Sequence, residues 1–161
     1  RILGVDPGTV RMGYRVIYVV IDSPKLISFG VLKAPAKYSV GDRLSILYDA
    51  LREIVIAYSP EQMAVESPFV GRNVRSAMAV GQAQAIAVLV ASQHNLPLDY
   101  YPPAKIKSAV ANYGSSGKAQ VQEGVKLLLG LPDIPQPHDA ADALAVAICH
   151  QRHHRLDGLA F

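Results

Sequence analysis

The sequence contains a single cysteine among its 161 residues, so an internal disulfide is excluded. Cys149 lies in the apolar run ALAVAIC, and no base is paired with it in the sequence. This setting favours a small core residue over a nucleophile. One unpaired cysteine fits a reducing cytoplasm, where we expect the protein to act.

Charged residues are also few, at 18% of the chain, whereas hydrophobic residues make up 50%. This balance excludes a disordered chain and favours a globular protein. Because 161 residues suit one full core and no stretch is typical of a linker, we expect a single domain over 1–161. The formal charge of +3 is compatible with a nucleic-acid partner without being diagnostic of one.

Long hydrophobic runs and internal repeats are two further absences. We find no stretch that is apolar for long enough to cross a bilayer, and therefore expect no membrane partner. The lack of a repeat disfavours folds built from two related halves that close around a ligand.

The hydrophobic pattern predicts three early strands, then helices that alternate with two more strands. Only the dipeptide SP is expected to separate the second and third strands, and Ser39 and Asp42 are placed to cap the first helix. This order predicts an α/β sheet covered on both faces. The predicted strands are 1–6, 11–22, 25–34, 62–67 and 96–102, and the predicted helices are about 44–58, 73–94, 103–111, 118–130 and 138–154.

Four carboxylates stand at the ends of these elements. Asp6 closes the first strand and Glu66 closes the fourth, so parallel neighbours would bring both to one edge of the sheet. Asp139 and Asp142 are three residues apart at the start of the last helix and share a face. No Lys or Arg lies close to them in sequence to neutralise them.

Each acid also has an ordinary explanation. Asp6 could serve the Pro-Gly turn that follows it, and Asp139 could favour the helix dipole. Four clustered carboxylates repel one another unless a cation is bound, and oxygen ligands suit Mg²⁺ or Mn²⁺. Two such ions about 4 Å apart would serve phosphodiester hydrolysis. His138 could reach a cation or carry a proton, and is as well explained as an exposed helix-start residue.

Four segments together resemble one family, the RuvC-type Holliday junction resolvases of the ribonuclease-H-like superfamily. They are ILGVDPGTVRMGY, MAVESPFVGRNVRSAMAVGQAQAIA, GSSGKAQVQEGVKLLLGLP and HDAADALAVAICH. The resemblance implies a ribonuclease-H-like five-stranded mixed sheet with helices on both faces, and a homodimer. It also implies Mg²⁺-dependent paired nicking of four-way DNA junctions in recombination and repair, which leaves 5′-phosphate and 3′-hydroxyl ends. The RuvA and RuvB branch-migration proteins are the partners that it implies.

The same resemblance assigns roles to individual residues. The catalytic and metal-binding acids are Asp6, Glu66, Asp139 and Asp142. Some relatives carry a histidine in place of the first acid of the last pair, which leaves open whether His138 or Asp139 is the ligand. The residues expected on DNA are Phe69, Arg72, Arg75, Lys107 and Lys118.

Among these, Phe69 is expected to stack on an unpaired base at an opened crossover, although a loop aromatic folded onto the core is an equal reading of the residue type. Lys118 follows the flexible segment GSSG at a helix start, a favourable setting for a phosphate contact.

Three other functions remain open on the sequence. Sugar kinases, actin and Hsp70 chaperones also begin with a strand, an Asp-x-Gly-Thr turn and a hairpin, but they need a second related domain. A protein of that kind is the first alternative. The second is a single-domain homologue that acts on RNA or linear duplexes, and the third is a DNA-binding module without cleavage activity. The run HQRHHR at 150–155 is expected to be a solvated helix end without a functional role.

Overall fold

The structure is a computed structural model, and it describes residues 1–20, 23–67, 74–111, 117–130, 132–133 and 139–158. Within these ranges only the backbone is described at 20, 23, 118, 129, 139–142 and 154–158. Phe69, Arg72 and His138 lie outside the described residues.

A five-stranded mixed sheet forms the centre of the fold, in the order β3-β2-β1-β4-β5. The first three strands are antiparallel neighbours, whereas β4 runs parallel to both β1 and β5. This arrangement confirms the expected five-stranded mixed sheet, in which three early strands precede two strands that alternate with helices. The strands are β1 (Ile2–Asp6), β2 (Arg11–Val20), β3 (Ser23–Lys33), β4 (Gln62–Glu66) and β5 (Leu98–Tyr101).

The prediction that Ser23 and Pro24 separate β2 from β3 is wrong. Both residues belong to β3, where Ser23 pairs with Val20 and Pro24 pairs with Val19. A proline cannot donate a hydrogen bond to a ladder, but β3 is an edge strand and such strands tolerate it.

Helices cover both faces of the sheet, as predicted. One face of β1 and β4 packs in a core with α1 and α2, and the other face packs with α3, α4 and α5. Ser39 caps α1, since its side-chain oxygen accepts from the backbone N–H of Asp42 at 3.2 Å. The helices are α1 (Val40–Tyr58), α2 (Val74–Gln93), α3 (Pro103–Ala111), α4 (Lys118–Leu129) and α5 (Asp139–Gly158).

Helix α2 corrects the expectation that no stretch is apolar enough to span a bilayer. By length and composition alone, this helix could cross a membrane, because an 18-residue stretch of it has a mean hydropathy of 1.4. In the folded protein 28% of that stretch is buried. Repeated alanines raise the hydropathy without a long run of large apolar side chains. Helices that pack inside proteins pass the same test, so this finding is weak grounds for a membrane span.

Of two expectations for α5, one is confirmed and one is wrong. Cys149 is 2% exposed, which confirms a core residue. His150, the first residue of the run HQRHHR, is wholly buried, so the expectation of a solvated helix end is wrong at that position. It can be buried because both of its ring nitrogens have hydrogen-bond partners inside the protein.

Candidate active site

Asp6 and Glu66 end two neighbouring parallel strands. The pairing of β1 with β4 places Val5 opposite Val65, so the acids that follow occupy corresponding positions at the carboxyl edge. Gly4 and Ala64 precede Asp6 and Glu66 by two residues, and both face α5. Because every second residue of a strand lies on the same face of the sheet, both acids are directed to the face that carries α5. Adjacent strands lie about 4.8 Å apart, which brings the two carboxyl groups into one site.

A cleft of about 380 Å³ opens beside these two acids, and we call it the acidic cleft. Its other walls come from α3, α4 and α5. Lys107, a half-buried residue of α3, lines the same cleft although it is distant from both acids in sequence. A positively charged side chain therefore faces the two acids, although no Lys or Arg lies close to them in the sequence. The lining residues are Asp6, Glu66, Pro103, Ile106, Lys107, Val121 and Ala145.

Helix α5 begins next to the acidic cleft. A Cβ atom built on Gly4 would overlap the carbonyl oxygen of Ala143 and lie 3.0 Å from Cβ of Ala147, so the helix backbone rests on β1. Asp139 is the first residue of α5 and Asp142 immediately precedes Ala143. The backbone of the α5 acids is therefore close to the strand that ends in Asp6.

The side chains of Asp139 and Asp142 lie outside the described set. Among the side chains that are described, no three His, Cys, Asp or Glu residues are grouped as a metal would require. The joining of all four predicted acids in one site thus stays a prediction, supported by the placement of the elements that carry them.

Two anchors hold the acid-bearing turns, and the sequence reasoning missed both. Gln84 in α2 donates from Nε2 to the backbone carbonyl of Glu66 at 3.0 Å. Arg43 in α1 donates from Nη1 to the carbonyl and the hydroxyl oxygens of Thr9, each at 3.4 Å, in the turn that follows Asp6. A glutamine in an alanine-rich helix has no sequence signal for this role, whereas the isolated Gly4 in a buried strand does signal a close backbone approach.

Of the predicted DNA-contact residues, Lys107, Arg75 and the backbone of Lys118 are among the described residues. Arg75 is an exposed residue in the first turn of α2, and Lys118 is the first residue of α4, whose Val121 lines the cleft. Phe69 and Arg72 belong to the segment that joins β4 to α2, so they follow Glu66 in the chain. Of these candidates, the structure brings Lys107 alone directly to the cleft among the residues whose side chains it describes.

Comparison with known proteins identifies relatives over nearly the whole chain. Residues 2–150 match the family model described as crossover junction endodeoxyribonuclease RuvC. A crossover junction endodeoxyribonuclease RuvC from Dehalococcoides mccartyi is 52% identical over 153 residues, which are 95% of this chain and 93% of the relative.

Solved structures agree with this assignment. RuvC of T. thermophilus, solved in complex with a Holliday junction substrate, superposes with a TM-score of 0.91 at 30% identity and covers 97% of this chain and 95% of that chain. The yeast mitochondrial Holliday junction resolvase Ydc2 has a TM-score of 0.65 at 16% identity, covering 98% of this chain and 84% of that chain, and shows the shared fold alone.

Proposed function

The chain belongs to the crossover junction endodeoxyribonuclease RuvC family, and from this premise we propose that it resolves four-way DNA junctions by paired, symmetric nicks. The observation that carries the proposal is the placement of Asp6 and Glu66 at the carboxyl ends of adjacent parallel strands, where both line a cleft shared with Lys107. The chain and its curated relatives are similar in length, which supports carrying the family's activity to the whole chain.

The donors at this edge fit a hard divalent cation. Asp6 and Glu66 supply carboxylate oxygens, and Asp139 and Asp142 would add two more from the first turn of α5. Oxygen-rich donor sets of this kind suit Mg²⁺, with Mn²⁺ able to substitute. When bound, two such ions would activate a water and neutralise charge on the scissile phosphate.

The chain's own residues have distinct tasks in this proposal. The four acids would hold the ions, and Gln84 keeps Glu66 in place through the backbone. Lys107 offers a positive charge to a phosphate that enters the cleft, beside the acids that would repel it in the absence of a cation. His138 stays an alternative to Asp139 as the fourth ligand.

Amide substitutions test the acids directly. We expect Asp6→Asn, Glu66→Gln and Asp142→Asn each to abolish strand cleavage, because an amide cannot replace the negative charge that holds a cation. Junction affinity should survive, since basic residues provide the binding. Asp49→Asn is the matched control, because Asp49 is an exposed acid of α1 that lines a separate depression. Nicking by Asp6→Asn, Glu66→Gln and Asp142→Asn at the wild-type rate would refute the assignment.

A substrate panel separates the proposal from the other functions. Four-way junctions, RNA–DNA hybrids and linear duplexes are compared with Mg²⁺ present, and we expect selective cleavage of the junction. Preference for a hybrid or a linear duplex would favour a nuclease with another substrate, and binding without turnover would favour a DNA-binding module. Micromolar affinity for Mg-ATP would instead favour the alternative of a nucleotide-binding protein related to sugar kinases, actin and Hsp70 chaperones, which the family assignment opposes.

DNA contacts are proposed around the cleft. Arg72, Arg75 and Lys118 would meet phosphates near the strand to be cut, as Lys107 would inside the cleft. Phe69 would stack on a base at the crossover. Phe69→Ala should slow cleavage of closed junctions more than of pre-opened junctions, and equal slowing of both would refute the stacking role.

A homodimer would explain the outer face of α2. Val74, Met78 and Leu89 are 70%, 63% and 51% exposed, and they lie with Gly81 and Ala85 along one side of the helix. Pairing two copies through this side would give two sites related by a two-fold axis, which matches the symmetry of a four-way junction. We expect a dimeric mass by light scattering, and a monomer for Met78→Glu. A monomeric wild-type protein would refute this assembly.

The buried Cys149 fits the reducing cytoplasm, which is the compartment that we propose. The RuvA and RuvB branch-migration proteins are the partners proposed there, and stimulation of cleavage by their addition would test this.

A further inference from the structure

His150 is the buried polar residue that the proposed function does not use. It lies in α5, it is wholly buried, and each of its ring nitrogens has a partner on a different strand. The hydroxyl oxygen of Tyr101 is 3.0 Å from Nδ1, and Oε1 of Gln62 is 2.9 Å from Nε2. A carboxylate oxygen of Asp99 lies 3.6 Å from Nδ1.

These contacts define one hydrogen-bond pattern for the neutral ring. Because Oε1 of Gln62 can only accept, Nε2 of His150 carries the proton and donates it to Gln62. Nδ1 is then an acceptor, and the hydroxyl of Tyr101 donates to it. The histidine therefore joins α5 to the first residue of β4 and the last residue of β5.

Strand β4 ends in Glu66, and β5 is its hydrogen-bonded neighbour. Tyr101 is the registered partner of Glu66, and its carbonyl accepts from the backbone N–H of Ser67 at 2.8 Å. Tyr101 is 1% exposed, so its ring has little room to move. The network thus connects the strand end that presents Glu66 to the helix that carries Asp142.

Close packing sets the distance between α5 and the sheet, but it specifies less strongly where α5 lies along its own axis. The helix meets β1 through Gly4, Ala143 and Ala147, and burial of small apolar groups has no directional preference. A satisfied buried polar network, by contrast, fixes a unique arrangement. Asp142 is eight residues from His150, about 12 Å along a rigid helix, so a shift at His150 moves Asp142 with it.

We propose that His150 is a positioning residue which, through Gln62 and Tyr101, holds α5 in the register that brings Asp139 and Asp142 to the acidic cleft beside Asp6 and Glu66. The inference rests on the proposed function, because it assumes that the α5 acids bind the cation together with the strand acids.

The test compares metal affinity with stability. Tyr101→Phe removes only the hydroxyl, and His150→Leu removes both hydrogen bonds. His150→Asn keeps an acceptor near the place of Nδ1. Mn²⁺ affinity is measured by isothermal titration, together with the single-turnover rate on a four-way junction, junction affinity and the melting temperature. Ile148→Val is the control, because Ile148 is a buried α5 residue of the apolar core without a polar side chain.

We expect Tyr101→Phe and His150→Leu to weaken Mn²⁺ binding by about tenfold, the size of effect seen when groups that orient metal ligands are removed. His150→Asn should recover part of this loss, and junction affinity should stay unchanged. Ile148→Val should lower the melting temperature without changing Mn²⁺ affinity. If His150→Leu does not fold, Tyr101→Phe still provides the test.

Wild-type Mn²⁺ affinity in folded Tyr101→Phe and His150→Leu would overturn the positioning role and leave the proposed function intact. Mn²⁺ affinity that falls in Ile148→Val in proportion to stability would also overturn it. Absence of both Mn²⁺ binding and junction cleavage in the wild-type protein would refute the proposed function, and the positioning role with it.

Discussion

Gly4 of β1 lies directly against the backbone of Ala143 in α5. The carbonyl oxygen of Ala143 occupies the place that a Cβ atom on residue 4 would need, and Ala147 is in contact from the next turn. Backbone atoms cannot rotate away from such an overlap as a side chain can. The distance between the α5 acids and Asp6 therefore depends on residue 4 having no side chain.

Gly4→Ala should move α5 away from the sheet. We expect it to cost about 1–3 kcal/mol of stability, as overpacking of a core does. A displacement of about 1 Å at the catalytic groups can cost 100-fold in rate, so single-turnover cleavage of a four-way junction should fall by more than tenfold. Junction affinity should change little. Gly41→Ala is the control, since a Cβ there meets only Ser39 Oγ at 3.9 Å. Wild-type cleavage by Gly4→Ala would contradict the close approach.

Gln84→Leu removes the hydrogen bond to the carbonyl of Glu66 while keeping a similar volume. Loss of one such bond costs about 1 kcal/mol. We expect a modest fall in melting temperature and a larger relative fall in cleavage, because the bond holds the residue that presents a ligand. Gln93→Leu is the matched control. Gln93 is the last residue of the same helix, and its side chain accepts a hydrogen bond from the Tyr48 hydroxyl instead of holding Glu66. Equal loss of cleavage in both variants would argue against a role for Gln84 at the site.

The strand ends that carry Asp6 and Glu66 could be predicted because neighbouring residues in the sequence are enough to indicate them. Asp6 and Glu66 each follow a short buried apolar run, and carboxyl ends of parallel strands meet at one edge. The capping of α1 by Ser39 is equally local, since its partner is three residues away. Family resemblance added the roles of the α5 acids, which spacing alone did not establish.

Residues that act through distant contacts could not be predicted in the same way. Lys107, which the family resemblance alone indicated, reaches the cleft from α3. His150 is buried with hydrogen-bond partners on β4 and β5 that are 88 and 49 residues away in the sequence. Arg15 is a wholly buried cation in β2, stacked 4.8 Å from the ring centre of Phe29 and donating to the carbonyl of Gly30 at 3.1 Å. Polar residues like these look solvated in the sequence because only the tertiary fold supplies their partners.

Cys149 should be chemically inert in the folded protein. Burial raises the pKa of its thiol from 9.0 to about 11, although Lys105 and Arg152 act in the opposite direction. The reactive thiolate is therefore scarce at pH 8. We expect iodoacetamide to label the native protein slowly and the denatured protein fully. Rapid labelling of the native protein would contradict the buried position.

The same raised pKa predicts a pH dependence of stability. The folded state holds the thiol proton more tightly than the unfolded state, so this stabilisation is complete below about pH 9 and is lost as the pH rises towards 11. The melting temperature of the wild-type protein should fall more between pH 9 and 11 than that of Cys149→Ala, which lacks the group. Parallel curves for the two proteins would refute the shift.

Lys107→Ala tests whether the cleft binds a DNA phosphate next to the acids. Lys107 and both strand acids line one cleft, so a phosphate that meets the lysine is also at the site of cleavage. Each lost phosphate contact should reduce the slope of log affinity against log salt by about 0.9. The cleavage rate at saturating protein should fall as well, because the lysine helps to place the scissile group. Lys25→Ala is the control, since Lys25 is exposed and pairs with Tyr18 at the end of the sheet opposite Asp6. If both variants show the same slope and rate, Lys107 is a general surface charge, and the cleft needs another cation to bind its phosphate.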